Sequence, residues 1–220
     1  MVSDIEKILR KEILEDDIEV RNQFVSIFRE DISSFIYALS NAYRKWEKYD
    51  SQIGQNKRKA YVSAFLFDAI NSLTLSLKLF LSGYTVPSGN LFRHTIESIC
   101  LAILCSNENL PYYQKVDENK FSAKSAVNCL VRNSKKLKIN KEAVLVLKKS
   151  YEFYHKYSHS TLLSLTQNIS LSKRGDLYIG PSFDEGKMMG YKKEVKTRAN
   201  LAEVFGNVID GIFMIEKGNS

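Results

Sequence analysis

Apolar side chains recur at three- and four-residue intervals along most of this chain, the period at which one face of an α-helix is buried. Ile5, Ile8, Leu9 and Ile13 predict an amphipathic helix over residues 4–14, with Ser3 or Asp4 as its N-cap. Val20, Phe24, Ile27, Phe28, Ile32, Phe35, Ile36, Leu39 and Trp46 trace one stripe and predict a second, longer helix over 19–48. The polar run 49–56, which contains Gly54, interrupts the pattern. Residues 57–81 are apolar around most of the helical circumference and are expected at the centre of the fold. Ser82 and Gly83 stop that helix, with Gly83 suited to the left-handed position after a C-cap, and Pro87 suits the first turn of a fourth helix over 86–105. So short a connection predicts an antiparallel hairpin. Helices follow over 118–137, over 141–157 with Asn140 as cap, and over 192–216. Before the last of them, residues 170–190 form an irregular excursion marked by Gly175, Gly180, Pro181 and Gly186, with a short strand expected at Leu177, Tyr178 and Ile179.

The expectation is therefore an all-α, single-domain bundle of six or seven helices over residues 1–220, built round the hairpin of the third and fourth. Composition agrees with it. Three prolines and ten glycines are too few for the turn density of a sandwich or barrel, and 44% hydrophobic residues are enough for a core. Cys100, Cys105 and Cys129 match neither a disulfide framework nor a zinc knuckle, and read as buried thiols in a reducing compartment. The N-terminus has no basic region leading into an apolar one, so no secretory signal is expected and the cytoplasm is the expected location. Residues 64–81 come closest to a membrane span, but Asp68, Asn71 and Lys78 favour a buried helix, and no membrane partner is expected.

The net charge of +7 permits an anionic partner without requiring one. Its distribution matters more. The first fifty residues lean acidic, whereas Lys135, Lys136, Lys138, Lys141, Lys148, Lys149, Lys156, Lys173, Arg174, Lys192, Lys193 and Lys196 put a basic face on the C-terminal half. That face is either a solvated surface or a seat for RNA or an acidic protein.

Candidate chemistry lies on two helices. Arg93 and Glu97 are four apart and share a face, His94 lies three before Glu97, and His155 and His159 are four apart near a helix end. If the two helices touch, Arg93, His94, Glu97, Tyr154, His155 and His159 converge. Three readings of this set stay open. Arg93 and Glu97 can be a structural pair, with Ser158 and His159 bonding at a helix terminus. His155 and His159 can be half of a metal site completed by Glu97 and His94, although the carboxylates are too few for a di-iron bundle and no cofactor is assigned. Or Arg93, Glu97 and His159 are catalytic, His159 moving the 2′-hydroxyl proton of RNA and Arg93 stabilising charge at phosphorus, with His94, Tyr154, His155, Lys148 and Lys149 holding the strand. Phosphate-binding Gly-rich loops, G-x-S-x-G and H-E-x-x-H are absent. Asp68 is expected to find a buried Lys, Arg or Tyr, and the Tyr151, Tyr154, Tyr157 row is expected to pack in the core.

The segment Gly83-Tyr84-Thr85-Val86-Pro87-Ser88-Gly89-Asn90-Leu91-Phe92-Arg93-His94-Thr95-Ile96-Glu97-Ser98, with the later Tyr154-His155-Lys156-Tyr157-Ser158-His159, resembles uncharacterised bacterial helical proteins of the broad HEPN-like class. The resemblance covers the middle of the chain. It implies a helical bundle, an RNase of a toxin or phage-defence system or an inactive partner of one, and a homodimer whose site spans both copies. The class signature places His four to six residues after Arg; here His94 directly follows Arg93, and no Arg precedes His155 or His159 at that spacing.

Overall fold

A computed structural model describes residues 4–159, 161–173 and 175–217, so Ser3 and Arg174 lie outside the described residues. It is all-α. The elements are α1 (Asp4–Leu14), α2 (Ile18–Ile27), α3 (Arg29–Asp50), α4 (Lys57–Leu81), α5 (Thr85–Ser106), α6 (Tyr112–Asp117), α7 (Ala126–Asn133), α8 (Lys141–His155), α9 (Leu162–Thr166) and α10 (Met188–Lys217), with single 3-10 turns at Ala123–Ser125, Lys156–Ser158 and Glu185–Lys187. Ten α-helices among the described residues, rather than six or seven, reflect breaks that periodicity does not register. The helix expected over 19–48 is interrupted at Phe28, where the backbone leaves helical geometry (φ −106°, ψ 22°) and α3 starts afresh. The Phe24 ring there meets Phe80, Phe183 and Tyr191 from three other parts of the chain. The helix expected over 118–137 is instead the shorter α7, entered from the 3-10 turn Ala123–Ser125; α6 lies before that span and stops at Asp117, two residues before Asn119 takes a left-handed φ of 56°. Asparagine tolerates that conformation better than other side chains with a Cβ.

The capping chemistry is local and follows the sequence. Asn140 accepts from the backbone N–H groups of Glu142 and Ala143, and Asn56 accepts from that of Lys59. After α4, Gly83 adopts φ 86° and donates to the Phe80 carbonyl, while Tyr84 donates to the Leu79 carbonyl, the reciprocal pattern that satisfies the last carbonyls of a helix. A Cβ on Gly83 would lie 2.9 Å from each of Pro181, Ser182 and Val20. Gly83→Ala therefore combines a disfavoured backbone with overpacking against three segments, and is expected to cost about 2–4 kcal/mol; urea denaturation of the two proteins reads the difference as a lower midpoint with unchanged slope.

Helix α5, not α4, is the most deeply enclosed element. Every residue from Thr95 to Ser106 is buried, whereas α4 keeps an exposed face carrying Phe67 and Leu75. α5 is packed by α4, α6, α7, α8 and α10, and α3 lies along α10. Leu66 and Leu73 of α4, Ile96 and Leu104 of α5 and Phe205 of α10 are fully buried, each stabilising by about 1.5–3 kcal/mol relative to exposure. α4 is long and apolar enough to cross a membrane, yet half of its most apolar window is enclosed by protein. All three cysteines are buried and free; burial pushes the Cys105 thiol up to about 12 and Cys100 further. The tyrosine row of α8 and the turn after it is buried as expected.

One polar network runs through this core. The Arg198 guanidinium on α10, wholly buried, donates to Ser76 Oγ (3.0 Å), Ser88 Oγ (2.7 Å) and Glu194 Oε2 (2.7 Å). Phe80 and Phe92 flank it at 5.0 and 5.2 Å. Tyr154 donates to the same Glu194 oxygen at 2.8 Å.

In the excursion the expected strand reduces to one antiparallel bridge, Ile169 with Leu177. The buried Asp184 carboxylate holds this segment by accepting from the N–H groups of Leu171 (2.6 Å), Ser172 (3.1 Å) and Gly186 (2.9 Å). α1 has no buried residue: Ile5, Ile8, Leu9 and Ile13, the apolar stripe of the expected amphipathic helix, are all exposed.

Candidate functional site

The first half of α5 repeats polar side chains at Asn90, Arg93, His94 and Glu97, positions that share one side of a helix. That side faces the end of α8 and the 3-10 turn that follows it. The two can approach because residue 89 is glycine: a Cβ there would lie 2.8 Å from the Tyr157 ring. Arg93 then reaches across, its Nη1 donating to Ser158 Oγ at 2.6 Å and to His155 Nδ1 at 3.3 Å. Ser158 in turn donates a hydrogen bond to Asn90 Oδ1 at 2.9 Å. Glu97 closes the group from inside, its Oε1 3.7 Å from Arg93 Nε.

His159 completes the outer edge, with Nε2 3.3 Å from His155 Nε2. An arginine is always protonated, so its bond to His155 Nδ1 leaves the imidazole proton on Nε2, pointing at His159. Burial, then the neighbouring His159, Arg93 and Lys124, pull His155 below the ordinary imidazole value, so it is neutral at neutral pH. The sequence therefore brings together Arg93, Glu97, His155 and His159 from two helices 62 residues apart.

His94 turns the other way. Its Nε2 lies 2.9 Å from Asp68 Oδ2 on α4 and its Nδ1 3.9 Å from Glu97 Oε2. Ser98 donates to the same Asp68 oxygen at 2.5 Å. Asp68 thus finds a histidine and a serine rather than the buried Lys, Arg or Tyr expected of it, and its carboxylate stays partly exposed. Glu97 and Asp68 outweigh burial and raise His94 above its usual value. Burial alone would raise Glu97, but His94, Arg93 and Tyr151 together hold it below the usual carboxylate range. Since the folded state favours charged His94, its contribution is complete below the unfolded value of about 6.5 and is lost as pH rises through the higher folded one. Glu97 limits the other side: its contribution is present above the unfolded carboxylate value and lost as pH falls through the folded one. The stability deficit of His94→Asn is accordingly expected to be larger at about pH 5.5 than at about pH 8.5 in paired denaturant titrations; an equal deficit at both would deny the charge.

Tyr154, expected at a binding surface, is buried and bonded to Glu194, so it belongs to the core network. Lys148 pairs with Glu152 at 3.6 Å and Lys149 is exposed; both lie further back along α8, apart from the Arg93 bonds. Sequence reasoning missed Asn90, whose spacing of three and seven before Arg93 and Glu97 was the available signal, and it missed that Asp68 joins His94. No signal singled out Arg198. Among the described residues, no group of three His, Cys, Asp or Glu side chains is placed to share a metal ion, and His155 and His159 stand as a pair. No protein family, characterised protein or solved structure matches this chain.

Proposed function

We propose that this chain is a HEPN-like helical protein that binds RNA and cleaves it without a metal ion, in the cytoplasm and in a stress or phage-defence setting. On this reading α4 and α5 are the central antiparallel hairpin of the bundle and the working unit is a homodimer. The observation that carries it is the relay from Arg93 through His155 to the exposed His159. His159 Nε2 exchanges its bond from His155 Nε2–H for the substrate and takes the 2′-hydroxyl proton, the 2′-oxygen attacks phosphorus, the bond to the 5′-oxygen breaks, and the imidazolium returns the proton to that oxygen. The products are a 2′,3′-cyclic phosphate and a 5′-hydroxyl end. Arg93 and Glu97 act as positioning residues, Arg93 through His155 and Glu97 through Arg93. Lys124 and the basic residues of the C-terminal half supply the attraction for the phosphate backbone.

The test is digestion of a mixed pool of structured and single-stranded RNA by wild type and His159→Ala, each with and without chelator. Cleavage that ignores chelator, leaves cyclic phosphate ends and disappears in the variant is the expected result. Cleavage that persists in His159→Ala rejects the assignment, and cleavage abolished by chelator transfers the His155 and His159 pair to metal binding.

A second reading, a non-enzymatic interaction bundle for an acidic protein partner, is favoured by one observation. α1 presents Ile5, Ile8, Leu9 and Ile13 to solvent together, an arrangement more common at interfaces than on free surfaces. Absence of cleavage in every condition is its expected outcome.

A further inference from the structure

A cleft of about 680 Å³ opens between α3 and α10, in the range that encloses small ligands. It shares no residue with the Arg93 group. Its α3 wall is a polar stripe at helical spacing, Tyr37, Asn41, Arg44 and Lys48, beside the buried stripe of Phe35, Leu39, Ala42 and Tyr49. Its α10 wall contributes Glu203 and Asn207, and the small residues Ser34, Ala38 and Gly206 leave the space between.

The chemistry of the cleft is graded from end to end. Tyr37 is 71% exposed, an unusual state for a ring beside a cavity. About two and three turns further along the same stripe stand two cations. Arg44 is oriented by donating to Asn41 Oδ1, and among the described residues no carboxylate pairs with Arg44 or Lys48. Lys45, between them in sequence, is already committed to Asp210 and to the Gly206 carbonyl. Seven residues of helix separate Tyr37 from Arg44, about 10 Å along the axis. A ligand that suits this arrangement is flat at one end and anionic at the other, with polar atoms between for Asn207 and Glu203. Aromatic rings stack on bases, and paired cations hold phosphate.

We propose that the α3/α10 cleft binds a nucleotide, its base on Tyr37, its phosphates at Arg44 and Lys48, and its sugar hydroxyls toward Glu203. The nucleotide is either free or one unit of an RNA strand. Titration calorimetry of the full chain with ADP, with inorganic pyrophosphate and with a short oligoribonucleotide distinguishes the sources: saturable ADP binding identifies a free nucleotide, and binding of the oligonucleotide alone identifies a strand. In either case the Arg44→Ala/Lys48→Ala double variant is expected to weaken binding about tenfold or more, and Tyr37→Ala several-fold. The substituted side chains are exposed, so melting temperatures are expected to stay at the wild-type value. His159→Ala is expected to bind ADP as wild type does and to hold the oligonucleotide without cutting it, which separates this cleft from the RNA-cleavage site. The inference is overturned if neither ADP nor the oligonucleotide binds, if these variants bind as wild type does, or if pyrophosphate binds as tightly as ADP.

Discussion

Arg198→Ala is expected to lower the unfolding free energy by about 3–5 kcal/mol, the cost of removing one partner from a buried ion pair. The side chain is fully enclosed, and its loss takes the paired cation from the Glu194 carboxylate, which keeps the Tyr154 hydroxyl, and one bond each from Ser76 and Ser88. Those two hydroxyls keep one bond each, Ser76 to the Ser88 carbonyl and Ser88 to the Ser76 carbonyl, so the larger share of the penalty falls on Glu194. Arg198→Lys should recover only part of it, because one ammonium cannot span the directions that Nε, Nη1 and Nη2 serve. For a chain of this length the alanine variant should melt roughly 6–20 °C lower. The Arg198→Met/Glu194→Gln pair checks the cause: in a double-mutant cycle its loss should be well short of the sum of the single losses. Additive losses would mean that the guanidinium stabilises through packing on Phe80 and Phe92 alone.

His159→Ala is expected to reduce RNA cleavage by about 10²–10⁴-fold while leaving the fold intact, the range for removing a general acid–base group. The side chain is exposed and bonds to the half-buried His155 imidazole, so little stability depends on it. Arg93→Ala should behave differently. It removes the donor that fixes the His155 tautomer and releases Ser158 and Glu97, so activity and melting temperature should fall together. Arg93→Lys supplies the charge without the fork; if Arg93 acts by orienting His155, lysine should restore much of the stability and little of kcat. Full restoration of both would make Arg93 a simple source of positive charge.

What could be read from the order of residues was the local chemistry. The end of α4 at Gly83, the cap at Asn140 and the span of α4 itself follow from hydrogen bonds and torsions within a few neighbours. The shared face of Arg93 and Glu97 follows from the helical repeat. The length of 118–137 was misjudged for a related reason: Asn119 takes a left-handed conformation at the start of that span, and regular helix is confined to Ala126–Asn133. Which helix lies at the centre was also misjudged. Both α4 and α5 are apolar enough to be central, and what sets α5 apart is that five other helices enclose it, which its own sequence does not record.

The partners across the fold could not be read. Arg198 looks like its neighbours Lys192, Lys193 and Lys196 in sequence; it alone is buried because Ser76 and Ser88, more than a hundred residues earlier, meet it with acceptors between two aromatic rings. α1 has the same amphipathic period as the buried helices and still lies with its apolar side in solvent. Sequence alone determined the capped ends at Gly83 and Asn140 and which side chains share a face, since those depend on bonds closed within one or two turns. The tertiary structure decided which faces are covered, which of many basic residues is buried, and that His155 meets Arg93, because burial and pairing depend on what another segment of chain brings to the same place.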